Sequence, residues 1–485
     1  MKLSSKTRLS FLVLIILMGS VVVYATTIGP TGVYDTPWGN FTIGVNTPTI
    51  NTGQGDNEVY DMNQNMLTTS SPTFDDVTIS DDLTIGGVTR STWPPAGGSG
   101  LLISDWLITG NGAAYSAYSN SGTNFTTASF SQVGNWVMGN LTGTSPNTVY
   151  FRGTFNLDTA PISVPDYAVL DGYGAEIDLT GNIAAIFQNE NMGTARSDFV
   201  IIRGFKLDGN KASRTSGTGI EGTFWNSKIY DNIIVEMEEY GIDLRSYTST
   251  NKAVCNINNN WIGSGTTGSG NKGGGLRLGY NGYPTPDCII EENFFINNGN
   301  WQIIIEQGAV HRISSNHFAG YADAGDNIAG GIYAGEWNGG AGDSDVDQIG
   351  IYSNHFEQHQ KQGIYVNAST GAFCDMWRIQ GNDFFDIGNR NANNTYSVIH
   401  LHANGGSTRF GSITGNTGAA IYSSGLHAYP ADFHKADYFI ELEGANADYF
   451  VIDSNVIQSG QGAPAWVDYV DGGGSSVLGD NINIS

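Results

Sequence analysis

The sequence predicts an all-β solenoid in which short parallel strands wind into successive coils. Three observations predict it. The first is a recurring phrase, Ile-x-x-Asn-x-apolar, at Ile229–Asn232, Ile257–Asn260, Ile290–Asn293, Ile313–Asn316, Ile351–Asn354, Ile379–Asn382, Ile413–Asn416 and Ile452–Asn455, with a weaker copy at Leu478–Asn481. The second is its spacing: successive Asn residues lie 28, 33, 23, 38, 28, 34, 39 and 26 positions apart. A fixed phrase at variable spacing marks constant strands joined by variable loops. The third is a companion phrase, Gly-apolar-x-apolar, as in Gly241-Ile-Asp-Leu244, Gly275-Leu-Arg-Leu278, Gly331-Ile-Tyr-Ala334 and Gly363-Ile-Tyr-Val366. One coil therefore holds three short strands and a tight Asn corner.

Each part has a physical reason. The phrase Ile and the residue two before it share a strand face, and both are usually apolar, so they point inward. Asn tolerates the left-handed backbone and can turn the chain between strands. Stacked coil on coil, its amide can also bond to the Asn above and below. The pattern resembles the right-handed parallel β-helix of the pectate-lyase-like superfamily, over most of the chain from Val149 onward. The resemblance implies a three-sheet solenoid of about ten coils. Thr148-Val-Tyr-Phe-Arg-Gly-Thr-Phe-Asn-Leu157 and Ala168-Val-Leu-Asp-Gly-Tyr-Gly-Ala-Glu-Ile177 are similar to the entry strands of such proteins. Phe130, Val133, Val137 and Leu141 recur at helical spacing, predicting a short helix that caps the first coil.

Upstream, Lys2, Lys6 and Arg8 precede an apolar run from Phe11 to Tyr24 that ends in Val23-Tyr24-Ala25, the pattern of a secretory signal peptide over residues 1–25. An uncleaved anchor is the alternative reading of that run. Either places the body outside the cytoplasm, secreted or at the cell surface. Residues 26–54 read as a flexible leader and 94–100 as a linker, leaving 101–485 for the β-helix. Between them, residues 55–93 show strand alternation at Phe74-x-x-Val77-x-Ile79 and Leu83-x-Ile85, similar to the neck segments of viral tail fibres. That similarity implies a homotrimer; a flexible tether is the alternative.

Twenty-one basic against 46 acidic residues give a net charge of −25, which argues against nucleic acid and anionic membrane surfaces as partners. Three cysteines make no disulfide framework. Cys255 and Cys288 hold equivalent positions in consecutive phrases and should stack in the core, as a disulfide or as two buried thiols, and Cys374 stands apart.

The x of Gly-apolar-x-apolar points outward, so these residues form a ladder: Glu221, Asp243, Arg277, Ile304, Tyr333, Tyr365, His400, Glu441 and Asp468, with Arg245, Glu306, Asn367, His402 and Glu443 two positions further along. The resemblance implies that this sheet is a carbohydrate groove, making a polysaccharide or glycan the expected partner. Candidate catalytic residues are Glu221, Asp243 and Arg277 at one end and His400, His402, Glu441, Glu443 and Asp468 at the other. There, like-charged carboxylates on neighbouring coils can supply the acid and base of a glycosidase or lyase. Salt bridging is the competing role for the first group. Tyr333, Tyr365 and Trp337 are candidates for stacking on sugar rings, and Arg245, Glu306 and Asn367 for polar contacts. The signature motifs of polygalacturonases and alginate epimerases do not occur. No metal ligand is assigned. Calcium is a candidate cofactor through Asp343-Ser-Asp-Val-Asp347, which lacks the Gly and Glu of a complete calcium loop. A polysaccharide-binding or cleaving surface protein and a non-enzymatic trimeric spike or adhesin are thus the two functional expectations.

Overall fold

A computed structural model of the chain describes residues 83–85, 88–90, 105–119, 122, 124–248, 252–265, 270–279, 283–320, 330–336, 345–387, 396–420, 438–459, 467–471 and 474–484. The expected signal peptide, leader and linker lie outside these residues. The chain divides into two units, residues 1–99 and 100–485. In the first, Leu83–Ile85 pairs antiparallel with Val88–Arg90; the rest of the expected neck lies outside the described residues.

The second unit is the right-handed parallel β-helix that the repeated phrases predict. A typical coil runs Tyr240–Leu244, Val254–Asn258 and Trp261–Gly263. The first strand of each coil joins an 11-stranded parallel sheet, and the other two join a sheet that continues through the Asn corner. The phrase isoleucines from Ile229 to Ile452 are buried in the core. Each contributes roughly 1.5–3 kcal/mol by removal from water. Two residues after the Asn, Phe295, Phe318, Phe356 and Phe384 stack ring on ring at 5.2, 4.7 and 4.7 Å between centroids.

At the corners the division of labour differs from the expected one. The left-handed residue is the one before the Asn: Asp231, Asn259, Glu292, Ser315, Ser353, Gly381, Gly415 and Ser454 all have φ between 53° and 65°. The Asn itself is the ladder. Asn232 Nδ2 donates to Asn260 Oδ1 at 3.0 Å, and the chain of amides continues through Asn293, Asn316, Asn354, Asn382, Asn416 and Asn455 to Asn481, each step 2.9 or 3.0 Å. Each Oδ1 also accepts the backbone N–H of the preceding Asn, as Asn382 does from Asn354 at 3.0 Å. The inward corner buries backbone groups that no strand can satisfy, and a side-chain amide, donor and acceptor at once, satisfies them.

Cys255 and Cys288 occupy the stacked core positions as thiols, without a disulfide between them, and Cys374 is a buried thiol as well. Burial pushes the Cys288 thiol up to about 12 and that of Cys255 well above its usual value, so both act as small core-filling groups. The capping helix spans Phe130–Met138, three residues shorter than the periodicity predicts, because Gly139 and Asn140 interrupt it before Leu141. It protects the first edge of the 11-stranded sheet. Asn135 Oδ1 accepts from Ser163 N at 2.8 Å and its Nδ2 donates to Pro161 O, while Ser131 Oγ donates to Ala160 O at 2.9 Å.

Candidate functional site

The outward ladder follows the sequence register for nearly its whole length. Ser163, Gln188, Glu221, Asp243, Arg277, Ile304, Tyr333, Tyr365, His400 and Glu441 lie side by side on successive strands. The last step departs from it. Val470, not Asp468, pairs with Glu441, because the final strand runs two residues further along than the sequence spacing indicates. Asp468 therefore leaves the candidate cluster. Trp337 lies outside the described residues.

At the N-terminal end five charged side chains interlock, most of them buried. Arg277 grips Asp243 with Nε–Oδ1 at 2.9 Å and Nη2–Oδ2 at 2.6 Å. Arg245 Nη2 lies 2.6 Å from Asp243 Oδ2 and 2.8 Å from Glu221 Oε1, whose other oxygen accepts from Gln188 at 2.9 Å. The Arg277 guanidinium also sits 4.2 Å from the Tyr240 ring centre and 3.5 Å from Glu306 Oε1. Burial alone would raise the Asp243 carboxyl, but Arg277 and Arg245 outweigh it and hold the group below its usual range. Glu221 ends raised, burial exceeding the pull of Arg245. This is a buried, mutually satisfied ion-pair cluster, which favours the salt-bridge role over catalysis.

Glu306 stands at its margin, where burial, only partly offset by Arg277, lifts the carboxyl to about 7. A carboxyl raised on folding binds its proton more tightly in the folded state, so stability falls as pH rises from the unfolded value through 7. Glu306→Gln should flatten that slope, measured as urea midpoints across pH 4.5–7.5; an unchanged slope would remove Glu306 as its source.

The middle of the face is covered. Tyr240, Trp301, Ile304 and Tyr333 form a second apolar cluster outside the sheet, with Tyr365 packed against it. Tyr333 is buried, its hydroxyl donates to the Glu336 carbonyl, and its ring meets that of Tyr365 edge to face at 5.7 Å and 66°. The two open, adjacent platforms expected from the sequence are therefore not formed. Asn367 Nδ2 approaches the Tyr333 hydroxyl at 3.4 Å. Only Tyr365 reaches the next cluster, its ring 5.0 Å from that of His400.

At the C-terminal end the expected cluster assembles without Asp468. His400 Nε2 lies 2.8 Å from Glu443 Oε2 and 3.7 Å from Glu441 Oε2; His402 Nδ1 lies 3.6 Å from Glu443 and 3.4 Å from the Tyr365 hydroxyl. The two imidazoles stack at 5.6 Å and 13°. Ser397 Oγ donates to Glu441. Burial lowers His400 against the pull of both glutamates. A carboxylate only accepts, so Nε2–H of His400 is the donor to Glu443 and Nδ1 is left as the basic nitrogen. Glu443 is the most open member, its side chain 48% exposed. His400, His402 and Glu443 also bring ligand atoms within 4.8 Å of one another, a geometry open to a metal ion.

Two features went unread in the sequence. A groove of about 510 Å³ lies on another side of the coil, bordered by Arg312, Tyr352, Arg378, Phe410 and Tyr449. Phe410 and Tyr449 are exposed, stack at 5.3 Å and both take left-handed φ of 61°. Such φ values for bulky residues follow no sequence rule, although the equal spacing of Arg312 and Arg378 from their phrase Asn residues was visible. In the proposed calcium stretch, Asp343 lies outside the described residues, while Asp345 and Asp347 accept the backbone N–H of Phe373 and Asp375 at 2.8 and 2.9 Å. Each thus joins one coil to the next.

Fold and face together define a parallel β-helix protein with a half-open cluster of His and Glu near the C-terminal end of its 11-stranded sheet. Several solved structures are similar to it. They include ORF18 of Geobacillus virus E2 (16% identity, TM-score 0.43, 67% of this chain and 56% of that one). The A-module of mannuronan C-5 epimerase AlgE4 from Azotobacter vinelandii is another (17%, 0.44, 71% and 92%). A third is PfbA, a surface adhesin of Streptococcus pneumoniae (11%, 0.34, 73% and 88%). The chain thus spans little more than half the length of the viral protein. No protein-family model and no curated protein matches the sequence.

Proposed function

We propose that the protein is a surface or secreted β-helix protein that binds polysaccharide at the C-terminal end of the ladder, and that His400 and Glu443 supply acid–base chemistry for its cleavage there. The supporting observation is the convergence of His400, His402, Glu441 and Glu443 beside Tyr365 at the half-open end of an otherwise covered face. Glu443 and the basic nitrogen of His400 are the proton-handling groups, and Tyr365 offers the ring for sugar contact. Reducing ends and unsaturated products, followed across a panel of polysaccharides, test the reading and separate hydrolase from lyase. Glu443→Gln should lower turnover roughly 100-fold or more while binding persists, and Glu221→Gln should leave it near wild type. Full activity in Glu443→Gln would sink the catalytic assignment.

The second reading is a non-enzymatic trimeric spike or adhesin. The interlocked Glu221–Asp243–Arg245–Arg277 row supports it, since most of the face is then structural. Light scattering of chains with and without residues 26–100 tests the trimer; a monomer in both excludes it.

A further inference from the structure

The residue directly after each phrase Asn points away from the core, and successive ones form a column on the strands beyond the corner. In register it runs Trp261, Phe294, His317, His355, Asp383 and Thr417. Trp261 stacks on Phe294 at 4.5 Å and Phe294 meets His317 edge-on at 4.3 Å, so rings wall one side of the two histidines. Glu357 follows His355 by two residues on the same strand and reaches the same face. Its Oε1 lies 3.1 Å from His317 Nε2 and its Oε2 3.6 Å from His355 Nε2. The other nitrogen of His355 lies 3.0 Å from Asp383 Oδ2, and Thr417 Oγ1 donates to Asp383 Oδ1 at 2.7 Å.

We propose that His317 Nε2, His355 Nε2 and the Glu357 carboxylate bind a divalent first-row transition ion of the zinc type, with Asp383 as a positioning residue. The ligand atoms of all three lie within 4.8 Å of one another. Bonds of about 2.0–2.1 Å in a tetrahedral site separate ligand atoms by roughly 3.3 Å, and the two His–Glu distances bracket that value. Two imidazoles and one carboxylate select zinc-like ions over calcium or magnesium, which prefer oxygen alone. Asp383 accepts from Nδ1–H of His355 and so turns the Nε2 lone pair toward Glu357, the carboxylate–histidine arrangement that orients metal ligands. His317 Nε2 is shielded from solvent and lies 3.1 Å from Glu357 Oε1. The side chains of His317, His355 and Glu357 are 33%, 39% and 18% exposed.

The test uses the tag-free full chain, stripped with chelator and titrated with zinc against a chelating dye, with cobalt absorption as the second readout. Wild type should bind one equivalent that His317→Gln/His355→Gln lacks, and Glu357→Gln should lose it too if the double variant folds poorly. Asp383→Asn should weaken that equivalent roughly 10–100-fold. His400→Gln/His402→Gln should retain it, separating this site from the ladder cluster. A correctly folded His317→Gln/His355→Gln chain that binds zinc as wild type does would overturn the proposal, as would wild type that binds none.

Discussion

Asp243→Ala should unfold more easily than any other single substitution on the ladder face, losing roughly 3–5 kcal/mol. Asp243 is fully buried and meets both guanidiniums through one oxygen, Arg245 and Arg277 each at 2.6 Å. Removing it leaves one buried and one partly buried cation, with Glu221 at 2.8 Å able to hold Arg245 but Glu306 only at 3.5 Å from Arg277. Glu221→Gln should cost less, because Arg245 keeps Asp243. Urea unfolding at unchanged slope measures both. A loss under about 1 kcal/mol for Asp243→Ala would mean that the pair is solvated, as exposed bridges are.

The second large effect belongs to the amide ladder. Asn354→Ala removes the acceptor of Asn316 N and Nδ2, at 2.9 and 3.0 Å, and the donor to Ile313 O and Asn382 Oδ1, both at 3.0 Å. Several buried groups lose partners at once, so the expected loss is roughly 3 kcal/mol or more. Asn481→Ala, at the more exposed end of the ladder, removes the acceptor for Asn455 and a longer donor to Ile452 O at 3.2 Å, and should cost roughly 1 kcal/mol. Equal losses at the two positions would show that the corners do not act through the buried ladder.

Much of this was legible in the residues. The two phrases align coils without any knowledge of the loops between them, so the ladder from Glu221 to Glu441 could be placed residue by residue. The same alignment places His317 and His355 one coil apart at equivalent phrase positions. That signal sits in the Asn phrase, on strands outside the Gly-apolar-x-apolar sheet. Glu357 was harder to see, since its importance depends on a carboxylate bending back across one coil. Asp468 was misplaced because the last copy lacks a clear phrase and the residues between carry no register of their own.

By itself, then, the sequence determined the solenoid, its three strands per coil, the amide ladder and most of the outward register. These are local properties: period-two alternation and a corner amide act over a few residues and simply repeat. Only the tertiary structure decided which outward residues stay open. Asp243, Arg277 and Tyr333 are buried and Glu443 is half exposed, although all four share one sheet face. Burial depends on what packs over the face from other coils, and ion pairing depends on side-chain reach between them. Those distances turn one end of the ladder into a structural brace and leave the other able to meet a ligand.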